Sequence, residues 1–319
     1  MPDSTRCVPD VWVRVLGSAA GGGFPQWNCS CPNCTGVRAG SLPARARTQA
    51  SVAVSAARRR WLLVNATPDI GAQMRLLAAG AASGPGDTES VGAADGARAN
   101  PVAAVLLSDA ELDHVTGLLS MREGSTLVVY ATAWILRAAA PILDILSAYV
   151  EVDRRELAPD TDVVLDDETG LSCRTIPTGS TKRPRYAAHE DPDPAAVVGY
   201  RFTHAGASLA YVPCLPALTD ELLAELKGAD CAFLDGTCWT DDELSSVGLS
   251  HKTSRSMGHA PVTGPGGTLD RIAALPVRRR VYTHLNNTNP LLVEDSPERR
   301  LVEAAGVEVA YDGMEIELP

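Results

Sequence analysis

The chain has 319 residues, 45% of them hydrophobic, and carries 28 Lys+Arg against 39 Asp+Glu for a formal net charge of −11. A surface that acidic repels phosphate backbones and anionic bilayers, which argues against nucleic acid and membrane as partners. The longest apolar stretch, 127–136, is about half of a bilayer span, and the N-terminal residues lack the apolar core of a secretion signal, so the expected compartment is the cytoplasm.

In chain order, the first expected strand is 11–16, running into the glycine-rich turn 17–23. A loop at 28–35 then holds Cys29, Cys31 and Cys34. Strands at 51–55 and 61–65 flank Arg58-Arg59-Arg60 and read as a hairpin with a basic tip. A helix is expected over 72–79. Residues 80–100, rich in Gly, Ala, Ser and Asp without apolar period, read as a flexible excursion. The apolar strand 102–107 follows. Strands at 127–129, 172–176, 197–202, 208–212, 232–234, 281–284 and 307–310 then alternate with helices at 135–149, 218–226 and 299–305. No repeat or long linker divides the chain, so residues 1–319 read as one α/β domain with functional residues at strand ends.

Three clustered Cys of a total of eight read as a metal site in a reducing compartment, and a structural Zn(II) is expected on Cys29, Cys31 and Cys34. A tetrahedral site needs a fourth ligand, for which His189, His204, Cys231 and Asn287 are candidates; a reduced thiol cluster is the alternative. The glycines 17, 21, 22 and 23 do not fit a dinucleotide fingerprint and instead permit close backbone approach beside a pocket.

The richest segment is Asp109-x-Glu111-x-Asp113-His114-x-x-Gly117, directly after a buried-type strand. Four oxygen or nitrogen donors in six residues could cradle a metal, or could simply be an acidic helix N-terminus. The segment resembles the His-x-His-x-Asp-His loop of the metallo-β-lactamase superfamily, with Asp109 and Glu111 standing where the first two His would be. The resemblance implies an αββα sandwich. It also implies a late ligand His, present as His284, a middle His near 175–180, which is absent, and a bridging Asp near 211–214, also absent. What remains is Asp113, His114 and His284. Two His and a carboxylate form the set suited to non-haem Fe(II), whereas a dinuclear hydrolase needs two filled sites.

The segment 15–34, together with Asn65-Ala-Thr-Pro-Asp-Ile70, 113–124, Asp235-Gly-Thr237, Met257-Gly-His259, Asn286-Asn-Thr-Asn-Pro290 and Ser296-Pro-Glu-Arg299, resembles the PqqB family of pyrroloquinoline quinone (PQQ) biosynthesis. That resemblance implies Fe(II)- and O2-dependent hydroxylation of the tyrosine ring of a cross-linked Glu–Tyr intermediate, an anionic small molecule. The alternatives are a carrier for the quinone or its precursor, and a metallo-β-lactamase-fold hydrolase. His259 resembles the proton-donating His of phosphodiesterase relatives and is an acid–base candidate, or a structural His at a glycine turn. Asp235 is a candidate for orienting a ligand His, with metal binding or turn capping as alternatives. Asp109 and Glu111 could add a ligand or meet a substrate amine, and Lys182, Arg183, Arg185 and Arg201 could meet substrate carboxylates or be solvated. A homodimer is allowed.

Overall fold

A computed structural model describes residues 10–81 and 100–319. The excursion expected at 80–100 falls almost wholly on 82–99, outside the described residues. The strands are β1 (Val11–Gly17), β2 (Ser51–Ser55), β3 (Trp61–Val64), β4 (Val102–Leu106), β5 (Thr126–Ala131), β6 (Glu151–Glu156), β7 (Val163–Asp166), β8 (Leu171–Pro177), β9 (Val198–His204), β10 (Ala207–Val212), β11 (Cys231–Asp235), β12 (Arg279–Thr283), β13 (Glu308–Val309) and β14 (Glu315–Leu318). Among the described residues they form two sheets, ordered β14-β1-β2-β3-β4-β5-β6 and β13-β12-β11-β10-β9-β8-β7.

One apolar cluster joins the sheets, with Val13, Val54, Leu63 and Val105 of the first against Tyr200, Phe202, Tyr211 and Phe233 of the second. Alternation along the strands then decides what lies outside. Leu209 and Tyr211 of β10 enter this inner cluster, while Ala210 and Val212 enter a second one with Leu222, Leu226, Ile272 and Val302 of the outer helices. Being buried on both faces is why β11 reads as an unbroken apolar run ending in Asp235. Helices Ile70–Ala81, Ala133–Ala138 and Ala140–Ser147 contribute Ile70, Leu77, Trp134 and Leu143 to the core of the first sheet. The result is the expected αββα sandwich.

Three local expectations change. The single helix 135–149 is two, because the first ends at Ala139 and Pro141, which has no N–H to donate, sits in the opening turn of the second. The cysteine loop contains a short helix, Pro32–Arg38, whose N-cap is Cys31. Strand β6, Glu-Val-Asp-Arg-Arg-Glu, is a mostly exposed sheet edge paired in parallel with β5. Charges protect such an edge from further pairing and also hide it from a reading based on apolar alternation.

Candidate active site and cysteine cluster

The C-terminal ends of β4, β10, β11 and β12 converge on one cleft. Parallel pairing sets Val212 beside Leu234 and Asp235 beside Thr283, so Cys214, Asp235 and His284 emerge side by side. The β4 end is pinned by Asn65, whose amide exchanges two hydrogen bonds with Ser108: Asn65 Nδ2 to Ser108 Oγ at 3.0 Å, and Ser108 N to Asn65 Oδ1 at 2.9 Å. The chain then turns into a short helix, Leu112–Val115, which carries Asp113 and His114.

His114 is 1% exposed. Its Nδ1 lies 2.7 Å from Asp109 Oδ2, while its buried Nε2 has no hydrogen-bond partner. The carboxylate therefore holds the Nδ1–H tautomer and leaves the Nε2 lone pair for a ligand. An orphaned buried imidazole nitrogen is the observation that fits a metal here, because desolvating it without a partner is costly. Burial pushes the His114 pKa down, but the neighbouring Asp109 outweighs it and lifts the value to about 9, so without a metal Nε2 holds a proton that a bound cation would displace.

Asp109, expected as an extra ligand or substrate contact, is engaged with His114 and also lines the cleft. Its Oδ2 also accepts from Ser108 Oγ at 3.0 Å, and its Oδ1 accepts from Glu111 N at 2.9 Å. Glu111 turns instead to Lys182, with Oε1 3.4 Å from Nζ. Asp113 Oδ2 lies 3.9 Å from His114 Nε2. On its other side sits Gly21, where an added Cβ would approach Asp113 Oδ2 to 2.8 Å. That close approach is the use expected of the glycine turn.

His284 follows β12 with φ at +58°, a left-handed backbone unusual for His, of the kind that costs ~1–3 kcal/mol and concentrates at functional sites. Thr237 holds its ring. The Thr237 Oγ1 lies 2.8 Å from His284 Nδ1, 2.9 Å from His284 O and 2.6 Å from Asp235 Oδ1. With the hydroxyl proton directed to a carboxylate or carbonyl oxygen, its lone pair accepts from Nδ1–H, and His284 also presents Nε2. Thr237 was legible in sequence as part of Asp-Gly-Thr, but nothing in the residue type announced that task.

Asp235 is fully buried and saturated. Beyond Thr237, it accepts from Leu215 N at 2.9 Å, and its Oδ2 is 2.6 Å from His259 Nδ1. Those bonds tie Thr237, Leu215 and His259 to one carboxylate. Asp235, His259 and His284 offer donors close enough for a cation, but the first two already spend theirs on each other. The grouping of His114, Cys214 and His284, with donors within 4.8 Å of one another, has free nitrogens and is the better metal cradle. His259 stacks on His284 at 5.1 Å between ring centroids and lines the cleft with Asp109, Glu111, Ser180, Lys182 and Cys214.

Of the basic candidates, only Lys182 is among the residues lining this cleft. Arg183 donates to Ala188 O and Glu190 O, and Arg201 to Glu225 O and Lys227 O, so both tie backbone together.

The second centre is the cysteine cluster. Cys29, Cys31 and Cys34 are buried with sulfurs within 4.8 Å of one another. Each accepts a backbone N–H, from Cys31, Cys34 and Gln26 respectively, all at 3.4 Å. Of the four candidates for a further ligand, Asn287 is the one brought there, its side-chain amide 3.0 Å from Cys29 Sγ and 3.5 Å from the other two sulfurs. Exchanging the amide O and N would present an oxygen to a cation. His189 is exposed beside Glu190, His204 ends β9 and Cys231 begins β11.

Glu243 lies under the adjoining loop, accepting from Trp239 N and Thr288 Oγ1. Burial pushes its pKa up to about 7 despite those bonds. A raised carboxyl destabilises the fold as it ionises, so its penalty is absent below the unfolded value of about 4.3 and complete above about pH 7. Glu243→Gln is expected to flatten the fall in thermal stability between those limits. The effect at pH 8 should be of order 3 kcal/mol, read as Tm against pH; an unchanged profile contradicts it.

Residues 60–285 match the β-lactamase superfamily domain. Coenzyme PQQ synthesis protein B of Cupriavidus necator is 44% identical over 313 residues, covering 96% of this chain and 99% of the relative, and that of Pseudomonas putida is 42% identical over 317. A crystal structure of Zn(2+)-bound PqqB from Methylobacterium extorquens superposes with a TM-score of 0.84 at 38% identity, covering 96% of this chain and all of the other. A diphosphatase of the PhnP family, at 21% identity and a TM-score of 0.63, shares the fold. Among the described residues no helix is long and apolar enough to cross a membrane. With nearly full-length identity above 40%, the chain belongs to the coenzyme PQQ synthesis protein B family, on a metallo-β-lactamase fold.

Proposed function

We propose that the protein is an Fe(II)- and O2-dependent hydroxylase acting on the tyrosine ring of a cross-linked Glu–Tyr intermediate in PQQ biosynthesis. Family membership supports a role in coenzyme PQQ synthesis, and the zinc-bound relative supports a metal-binding site. The observation that carries the finer reading is the pairing of the His114 and His284 imidazoles, with Asp113 beside His114. Two imidazoles and one carboxylate leave coordination positions for substrate and oxygen, and iron bound there supplies the oxygen-activating chemistry. Asp109 and Thr237 fix the ligand rings, and His259, oriented by Asp235, is placed to exchange a proton with substrate in the cleft. Cys29, Cys31, Cys34 and Asn287 would hold a structural zinc that braces the loop after His284.

Lys182 is the carboxylate anchor of this reading. Lys182 and Glu111, 3.4 Å apart, both line the cleft, so a carboxylate bound to Lys182 would change that pairing. Exchange of Glu111 for a substrate carboxylate on Lys182 supplies such a change without leaving the ammonium unpaired. Lys182→Met is expected to raise KM for the anionic substrate about 10–100-fold, the value of one charge-assisted hydrogen bond, with a smaller effect on kcat. A change confined to kcat argues against the anchor. The activity itself is tested by anaerobic Fe(II) loading followed by isotopically labelled O2 with the Glu–Tyr substrate. Labelled oxygen in the ring is the expected product, and tight quinone binding without incorporation would favour carriage.

A further inference from the structure

Cys214 stands two residues past the end of β10, in the place where the superfamily resemblance led us to expect a bridging carboxylate. Its Sγ lies 4.0 Å from His284 Nε2, and the donors of His114, Cys214 and His284 all fall within 4.8 Å of one another. The buried Nε2 of His114 has no partner, and Asp113 Oδ2 lies 3.9 Å from it but outside the three-residue grouping, so the carboxylate has to swing in to join a metal there. The cysteine is held firmly: the next residue, Leu215, donates its N–H to the saturated carboxylate of Asp235. Cys173, Cys231 and Cys238 are buried elsewhere, whereas Cys214 lines the cleft.

Metal–nitrogen and metal–sulfur bonds run to about 2.0–2.1 and 2.3 Å, so a tetrahedral angle between them separates N from S by about 3.6 Å. The observed 4.0 Å is a few tenths of an ångström wider, a gap that a small rotation of the Cys214 side chain closes.

We infer that the Cys214 thiolate is a direct ligand of the cleft metal, completing an N2SO donor set with His114, His284 and Asp113. This rests on the metal site of the proposed function and adds a ligand to it. A thiolate makes the centre softer than two imidazoles and a carboxylate alone, favouring zinc and iron over magnesium or manganese.

The test uses the full chain titrated anaerobically with Co(II), with zinc release monitored throughout. The wild type should bind one equivalent that depends on His284, with a near-ultraviolet thiolate-to-cobalt charge-transfer band. X-ray absorption at the cobalt edge should show a sulfur neighbour at about 2.3 Å. Cys214→Ser should retain that equivalent through the other three ligands, lose the band and bind cobalt at least tenfold more weakly. A His284-dependent equivalent without sulfur, or with a band unchanged in Cys214→Ser, overturns the inference and leaves the metal site standing. Absence of any His284-dependent cobalt overturns both. A band that survives His284→Ala reports the Cys29 cluster and also counts against Cys214. Because the cobalt-edge measurement needs only the wild type, misfolding of a variant does not rescue the idea.

Discussion

His284→Ala is expected to empty the cleft metal site while leaving the cysteine-cluster metal in place, with metal content per chain falling by one equivalent. The imidazole supplies one of two presented Nε2 atoms. Loss of a direct ligand should exceed the 10–100-fold typical of removing a residue that merely orients one. The proposed ring hydroxylation should then be undetectable. His284 occupies a left-handed backbone, so His284→Asn is the better control for conformation, since Asn adopts φ near +58° at lower cost than Ala. The two substitutions should lose the metal alike. Loss of both metals would contradict two separately held centres, although Asn287 links them only three residues along the chain.

Gly117→Ala should be strongly destabilising. A Cβ there would sit 2.0 Å from Thr67 O and 2.7 Å from the carbonyl carbons of Ala66 and Thr67. These are backbone atoms with no rotamer to yield. The same strands of chain are tied by Gly117 N to Ala66 O at 2.9 Å and Ala66 N to His114 O at 2.8 Å, so relief of the clash must break the bonds that seat His114. The cost should be ~3 kcal/mol or more, at the upper end of overpacking effects, with weaker metal binding alongside. Gly124→Ala, whose Cβ would meet only Thr126 O at 3.8 Å, should change stability by about 0.5 kcal/mol or less. Denaturant midpoints for the two variants decide the matter; equal values would mean that the close approach carries no energy.

The sequence by itself determined a good deal. Apolar runs bounded by turn residues set most strands, because burial on one or both faces writes a pattern directly into residue order. The Asp113-His114 pair, His284 and the three cysteines were legible for a similar reason: donor atoms are rare residue types, and their spacing after buried strands is conspicuous. Strand β6 was hidden because an exposed edge is selected for charge, and the helix over 135–149 was overextended because apolar periodicity does not register a break at Ala139.

Tertiary structure alone decided which atoms meet. Asp109 and Asp113 are both carboxylates within one short loop, yet one faces His114 Nδ1 and the other its Nε2. Lys182 and Arg183 are neighbours, but only Lys182 reaches the cleft. Cys214 looked like one more scattered thiol until parallel pairing of β10, β11 and β12 brought it beside His284, seventy residues away. Residue type fixes what a side chain can donate or accept. Which atom it meets depends on backbone direction at a strand end, and that is set by sheet register across segments far apart in the chain.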